Sequence, residues 1–188
     1  MDLESEILKE HSKRQTVRIA QWIGADKKRY RQLMNLLLHG EPVVTQRAAW
    51  ILISSYEIHP PLITPWIPEL LNKMQEPDVH DALKRNVVGI LQCCEIPASQ
   101  LGMIATLCFE YLGDPGTPVA IRANAMTVLA RIAEREPDLK RELRTSIELM
   151  LSQSEPAICS RARHIMKRLD RDNPPLRTRT ARSVRKEP

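Results

Sequence analysis

The sequence has few aromatic residues, few glycines and no long apolar run. Aromatic side chains make up 4% of the 188 residues and there are six glycines, which argues against a β-sandwich or barrel. No apolar run reaches the roughly 18 residues that a membrane-spanning helix needs. The first residues are charged and lack the apolar stretch of a signal peptide, so we expect a cytoplasmic protein. Apolar residues nevertheless form 43% of the chain, enough for a folded core.

Motifs for catalysis and for metal binding are also lacking. The five histidines fall in separate segments, none of them in HExxH, and there is no glycine-rich phosphate loop or GxSxG serine motif. The four cysteines contain no CxxC pair, and we interpret them as small buried residues in a reducing compartment. We therefore predict no catalytic residue, no cofactor and no metal site. A site assembled from distant residues remains an alternative.

The net charge of +5 is unevenly distributed along the chain. Residues 1–160 contain 18 basic and 20 acidic side chains, a net charge of −2, whereas residues 161–188 contain ten basic and three acidic side chains, a net charge of +7. The basic character therefore belongs to the last predicted helix and to the segment 173–188. A nucleic-acid-binding fold usually has a basic face across its whole length, which this distribution does not favour.

Prolines recur in two interleaved series. Acid–proline pairs begin at Glu41, Glu76, Asp114 and Glu155, and a second series has Pro60, Pro97, Pro137 and Pro174. Proline is poorly tolerated inside helices but accepted in their first turn, so the two series mark the ends of alternating helices.

The apolar residues after each acid–proline pair keep one register. Positions at offsets 0, 4, 7, 8 and 11 lie within about 100° of arc on a helix, so they form one buried face. The four repeats of this stripe are Thr45, Ala49, Leu52, Ile53 and Tyr56; Leu83, Val87, Ile90, Leu91 and Cys94; Ile121, Ala125, Val128, Leu129 and Ile132; and Ile158, Ala162, Ile165, Met166 and Leu169. One helical hairpin cannot bury such a stripe alone, but stacked hairpins can.

The predicted architecture is a single all-α repeat domain over residues 1–172. An opening capping helix is expected at about 3–22, followed by hairpins at about 28–58, 61–95, 98–135 and 138–171. Within them we place the first (A) helices at 28–39, 61–75, 98–113 and 138–153, and the second (B) helices at 43–58, 79–95, 118–135 and 157–171. Residues 173–188 are predicted to be a basic, flexible tail.

The B-helix phrase IRANAMTVLA at residues 121–130 resembles the HEAT repeat, in which an aliphatic–arginine step precedes an alanine- and leucine-rich stripe. The sequence is also similar to small bacterial HEAT-like proteins of the armadillo type. This resemblance implies a right-handed α-solenoid of about four to five antiparallel helical hairpins. Some relatives of this kind have an adenylosuccinate-lyase label, but the longer chain and SSxMPxKxNP-type loop of that enzyme family are absent here.

The side of the B helices opposite the apolar stripe, which is expected to face the inner curve of the solenoid, is the first candidate binding surface. It contains an apolar row formed by Trp50, Val88 and Met126, with polar residues on either side. Functionally this row is a groove for a partner protein or peptide, which makes the protein a noncatalytic scaffold. The predicted partner-binding residues are Arg47, Trp50, Ser54, Arg85, Val88, Gln92 and Met126. In the alternative interpretation, the apolar row is packed between neighbouring repeats.

Two sets of charged residues have two interpretations each. Acid–arginine pairs occur once per repeat (Glu41/Arg47, Asp78/Arg85, Asp114/Arg122 and Glu155/Arg161), and we interpret them as a ladder that joins repeats rather than as an anion site. The basic C-terminus offers an alternative function, nucleic-acid binding, in the manner of DNA glycosylases with HEAT-like repeats or by simple electrostatic attraction. Its contact residues would be Arg163, Lys167, Arg168, Arg171, Arg177, Arg179, Arg182 and Arg185.

Overall fold

The structure, a computed structural model, describes residues 1–151 and 156–172. Ten α-helices are present in these ranges: α1 (Leu3–Lys9), α2 (Lys13–Ile23), α3 (Lys27–His39), α4 (Pro42–Ile58), α5 (Ile67–Met74), α6 (Asp81–Leu91), α7 (Leu101–Gly113), α8 (Val119–Arg135), α9 (Leu139–Leu151) and α10 (Pro156–Asp172). No described residue lies in a strand. The predicted all-α class is confirmed.

The helices are arranged in two layers. The even-numbered helices lie side by side, with α4 between α2 and α6, and with α8 between α6 and α10. In the other layer α3 contacts α5, and α7 contacts α9. Consecutive helices pair across the layers, as α3 does with α4 and α7 with α8. Five hairpins in tandem make up the predicted α-solenoid, in which each hairpin buries its apolar stripe against its neighbours.

The apolar stripe found in the sequence forms the contact between the two layers. All of its members are buried except for Ile53, Tyr56 and Met166, which are half-buried. The described helices of the other layer contribute residues with the same helical spacing, among them Leu33 and Leu37 of α3. The core is therefore continuous along the array, and the side of the even-numbered helices that faces away from it is left for other contacts.

The opening segment forms a hairpin rather than the single capping helix expected at 3–22. The backbone is extended at Ser12, whose hydroxyl accepts a hydrogen bond from the Gln15 amide N–H at 3.1 Å and so begins α2. The Gln15 side-chain amide donates to the Glu6 carboxylate at 2.8 Å, which holds α1 against α2 and lowers the pKa of Glu6 below its ordinary value. Because α2 contacts α4, this hairpin is the first repeat of the array.

The proline-rich segment before α5 also differs from the prediction. A continuous helix was expected over 61–75, but two 3₁₀ turns, Pro60–Leu62 and Thr64–Trp66, precede α5. Proline fixes its own φ and has no N–H to donate, so closely spaced prolines favour short turns over a regular helix. The following B helix, α6, also ends earlier than predicted, at Leu91 instead of residue 95.

Arginines of the even-numbered helices join repeats by donating to backbone carbonyls. Arg47 donates to the carbonyl oxygens of Ile7 and Leu8 near the end of α1, at 3.1 and 2.8 Å. Arg131 of α8 donates to the carbonyl oxygens of Leu91, the last residue of α6, and of Cys94, at 2.6 and 3.1 Å. Carbonyls at helix ends have no partner within the helix, so a guanidinium that binds them fastens one repeat to another.

The predicted acid–arginine ladder is therefore corrected where the structure describes it. The Asp114 carboxylate accepts from the Thr117 hydroxyl at 2.8 Å and from the Gly116 amide N–H at 2.9 Å, which lowers the pKa of Asp114. Arg122 donates to the Leu112 carbonyl oxygen at 3.4 Å instead of forming an ion pair with Asp114. Asp114 thus shapes its turn, while Arg47 and Arg122 bind backbone carbonyls. Glu155, in the last predicted pair, lies outside the described residues.

Candidate partner-binding site

The surface of the even-numbered helices that faces away from the other layer is here called the B face. Of the seven residues predicted to bind a partner there, Trp50 and Arg85 are exposed and Ser54 is half-buried. The structure places these three around one pocket of about 540 Å³ between α2, α4 and α6. This pocket, the Trp50 pocket, is lined by Lys13, Thr16, Trp50, Ile53, Ser54, Glu57, Arg85 and Asn86.

The apolar row predicted along the B face is not a surface feature. Trp50 is 38% exposed, but Val88 and Met126 are 0% exposed. The even-numbered helices pack so closely side by side that the smaller side chains at this position are covered by neighbouring helices. The packing alternative therefore applies to Val88 and Met126, and the prediction that they contact a partner is corrected.

Two further residues of the predicted set are used within the protein. Arg47 holds the end of α1, as described above. The side-chain oxygen of Gln92 accepts from Arg161 at 3.4 Å, and the same guanidinium group donates to the Thr127 hydroxyl at 2.6 Å. Arg161 thereby links α10 to α8 and to Gln92, which follows α6. These contacts stabilise the stack of even-numbered helices, and the Trp50 pocket is left as the candidate site.

The indole of Trp50 forms one wall of the pocket and is supported from behind. Its ring centroid lies 4.6 Å from that of His11, with the rings tilted by 50°. His11 lies in the link between α1 and α2, next to Ser12, which caps α2. This contribution from the first hairpin was not predicted, because the whole segment was expected to form a single helix. A fixed aromatic surface of this kind suits an apolar side chain of a ligand.

Asn86 is the most unusual residue in the pocket. Its side chain is only 4% exposed, and its Nδ2 group makes no hydrogen bond with any described residue. A buried donor without an acceptor costs about 1–3 kcal/mol, so such groups are rare in stable interiors. Because Asn86 lines the pocket, its side-chain amide lies where it can meet a polar group of a ligand. The available sequence signal was a polar side chain beside the apolar stripe.

The charges around the pocket favour an acidic ligand. Lys13 and Arg85 are exposed at the rim, against the single carboxylate of Glu57. None of these three side chains forms an ion pair with another residue in the described ranges. Two unpaired cations beside a buried amide donor attract carbonyl and carboxylate oxygens.

The predicted anion-binding residues are only partly described. Arg163 and Lys167 are exposed on α10, whereas Arg168 forms an ion pair with Glu134 of α8. The side chains of Arg171, Arg177, Arg179, Arg182 and Arg185 lie outside the described residues, as does the predicted flexible tail at 173–188. Nucleic-acid binding by this set stays a prediction. Of this predicted set, only Arg163 and Lys167 are exposed among the described side chains, and both lie on α10.

Cys94 and Cys108 are buried in the core as predicted, whereas Cys93 is exposed and Cys159 is half-buried, so the prediction is corrected for these two. Burial raises the pKa of the Cys108 thiol to about 12 and that of Cys94 to about 11, so both stay protonated and weakly nucleophilic at neutral pH. In the described part of the chain, no three His, Cys, Asp or Glu side chains are grouped as a metal site. The described ranges also contain no helix that is long and apolar enough to cross a membrane.

Comparison with known families agrees with this architecture. A family model described as a HEAT repeat domain matches residues 3–169, which covers the five hairpins except for the last three residues of α10. The chain belongs to the HEAT repeat family. HEAT repeats commonly serve as protein-interaction scaffolds and are generally non-catalytic, so a general binding role is supported for this HEAT repeat protein. Comparisons with curated proteins and with solved structures gave no match.

Proposed function

We propose that this HEAT repeat protein binds a partner protein by taking up a segment of it in the Trp50 pocket. The observation that carries the proposal is the unpartnered Nδ2 group of Asn86, buried in a pocket that also contains the exposed indole of Trp50. A partner segment can supply both missing contacts, since its backbone carbonyls accept hydrogen bonds and its apolar side chains pack on aromatic rings.

The chemistry of the pocket specifies which segment fits. An apolar side chain would pack on Trp50, a carbonyl or carboxylate oxygen would accept from Asn86, and acidic side chains would lie beside Lys13 and Arg85. The proposed ligand is therefore a short peptide with acidic residues next to an apolar one. Because the solenoid holds these groups in place before binding, little of the interaction free energy is lost to ordering the site.

Truncation of Trp50 is expected to weaken binding strongly. The probe is a set of fluorescent short peptides, selected on the full-length protein from a displayed random library and followed by fluorescence anisotropy. Trp50→Ala should raise Kd about 30-fold, which corresponds to about 2 kcal/mol for the loss of an aromatic anchor. Met103→Ala is the matched control because Met103 is 40% exposed, close to the value for Trp50, and lies in the other layer. Equal Kd values for wild type and Trp50→Ala, both folded, would contradict the proposal.

Replacement of Asn86 by leucine is expected to change stability and affinity in opposite directions. Leucine has nearly the same shape and no donor to bury, so Asn86→Leu should raise the free energy of unfolding by about 1 kcal/mol. The same change should raise Kd for the selected peptides about tenfold, because the ligand oxygen loses its donor. Urea denaturation and anisotropy on one preparation measure both quantities. If stability fell and affinity were unchanged, Asn86 would be a structural residue and the pocket would lose its main support.

A further inference from the structure

A second groove lies in the layer of odd-numbered helices, between α7 and α9. It has a volume of about 640 Å³, and its floor is apolar, with Leu101, Ala105 and the half-buried ring of Phe109 from α7. Ile132 of α8 and Leu139 of α9 complete this floor. The groove is here called the acidic groove because its rim contains three glutamates, one from each of three neighbouring segments.

The rim glutamates Glu110, Glu136 and Glu142 are all exposed. Their carboxylates make no hydrogen bond or ion pair with any residue in the described ranges. Three like charges around one apolar floor repel each other, and a cationic occupant would remove this repulsion. The complementary ligand is thus a basic chain with a few apolar side chains.

The chain itself contains such a segment, and it begins near the groove. α10 ends at Asp172, and two residues earlier the Asp170 carboxylate pairs with Arg144 of α9. Glu142, on the rim, is two residues before Arg144. The segment 173–188 therefore starts beside the helix that forms one wall of the acidic groove. Its sixteen residues can reach about 50 Å when extended, several times the roughly 10 Å diameter of the helix that it must pass.

The composition of the segment 173–188 matches the groove. It contains two apolar residues that can reach an apolar floor, Leu176 and Val184, and one acidic residue, Glu187. Its five basic residues are Arg177, Arg179, Arg182, Arg185 and Lys186. Arginine forms two parallel hydrogen bonds to a carboxylate, so several arginines can satisfy several glutamates. A short tether also gives an effective concentration on the order of millimolar, so even weak contacts suffice for binding.

We propose that the segment 173–188 binds in the acidic groove of its own chain, with its arginines on the rim glutamates and its apolar side chains on the Phe109 floor. The proposal is independent of the Trp50 pocket, which lies on the other layer. It also gives the basic segment a role other than nucleic-acid binding, because a nucleic acid would have to displace the segment from the groove before using those arginines.

Site-specific photo-cross-linking in the full-length chain tests this proposal. Phe109→p-benzoylphenylalanine places a photoreactive ring on the groove floor, and mass spectrometry identifies the residues that it captures. We expect cross-links within 173–188 of the same chain. Changing the three rim glutamates to glutamine together should lower the yield at least about fivefold, because the charge contacts are lost. The same photoreactive residue at Met103, exposed on α7 but outside the groove, should not capture the segment.

Two controls make the result decisive. Glu148→Gln, an exposed glutamate of α9 outside the groove, should leave the yield unchanged. Reversing charge on both sides, with the rim glutamates changed to lysine and Arg177, Arg179, Arg182 and Arg185 changed to glutamate, should restore the cross-link. Each of three results would overturn the proposal. They are cross-links to residues other than 173–188, cross-links found only between two copies, and a cross-linking yield that does not change when the rim glutamates are replaced.

Discussion

Replacing Met126 by alanine is expected to lower the free energy of unfolding by about 2–5 kcal/mol. Met126 is 0% exposed and lies in α8, which packs between α6 and α10. The shorter side chain would leave a cavity between helices that the neighbouring repeats cannot fully close. Urea denaturation followed by far-ultraviolet circular dichroism measures the change, and Val88→Ala should act in the same direction with a smaller effect.

The matched comparison for Met126 is Trp50, which occupies the equivalent position two repeats earlier. Because Trp50 is 38% exposed, Trp50→Ala should cost about 1 kcal/mol or less in stability while it weakens peptide binding. Truncation of Met126 should thus affect mainly the free energy of unfolding, and truncation of Trp50 mainly the affinity for peptides. If Met126→Ala left stability unchanged and reduced peptide affinity, the row would be a binding groove after all, and the packing interpretation would be wrong.

Sequence periodicity predicted which face of each B helix is buried, and it did so because that face is set by local geometry. The 38-residue register of Leu83 and Ile121 places both side chains toward the other layer, where both are fully buried. Periodicity does not say how closely adjacent helices approach each other. The exposure of Trp50, Val88 and Met126 depends on that spacing and on side-chain size. The valine and methionine side chains are covered, whereas the indole extends to the surface against His11.

The Trp50 pocket could be predicted only in part, because the positions of several of its residues depend on how the helices pack. Trp50 and Arg85 were predicted because their helical offsets place them on the side of the B helices opposite the apolar stripe. Asn86 was missed, since only the structure shows that its Nδ2 group is buried and has no described acceptor. Lys13 and Thr16 were missed because their positions depend on the break at Ser12, which converts the expected opening helix into a hairpin. Short capping interactions of this kind are weak signals in a sequence dominated by helical periodicity.

Alkaline pH is expected to unfold the protein and ionise its buried tyrosines in one coupled transition. Burial raises the pKa of all three: that of Tyr111 to about 12, that of Tyr30 well above its ordinary value, and that of Tyr56, which also lies beside Cys93, to about 12. The hydroxyls of Tyr30 and Tyr111 have no hydrogen-bond partner among the described residues, so nothing in their surroundings stabilises a phenolate.

The raised tyrosine pKa values determine how the free energy of unfolding changes with pH. In the unfolded chain a tyrosine ionises near pH 10, whereas the folded protein keeps these phenols neutral. The stability that depends on the neutral phenols is therefore fully present below about pH 10 and is lost as the pH rises toward 12. For two buried tyrosines the loss is on the order of 5 kcal/mol by pH 12, comparable with the total stability of many domains.

Absorbance of tyrosinate and circular dichroism, recorded together from pH 9 to 12, should show one shared transition. A gradual rise of tyrosinate absorbance centred near pH 10 with intact circular dichroism would contradict the burial of these rings. Tyr111→Phe is the matched variant, because it removes a buried hydroxyl that has no described partner and keeps the ring. It should unfold at pH 7 with the same or slightly higher free energy as wild type, and it should lose less stability between pH 10 and 12, since one ionisation no longer favours the unfolded state.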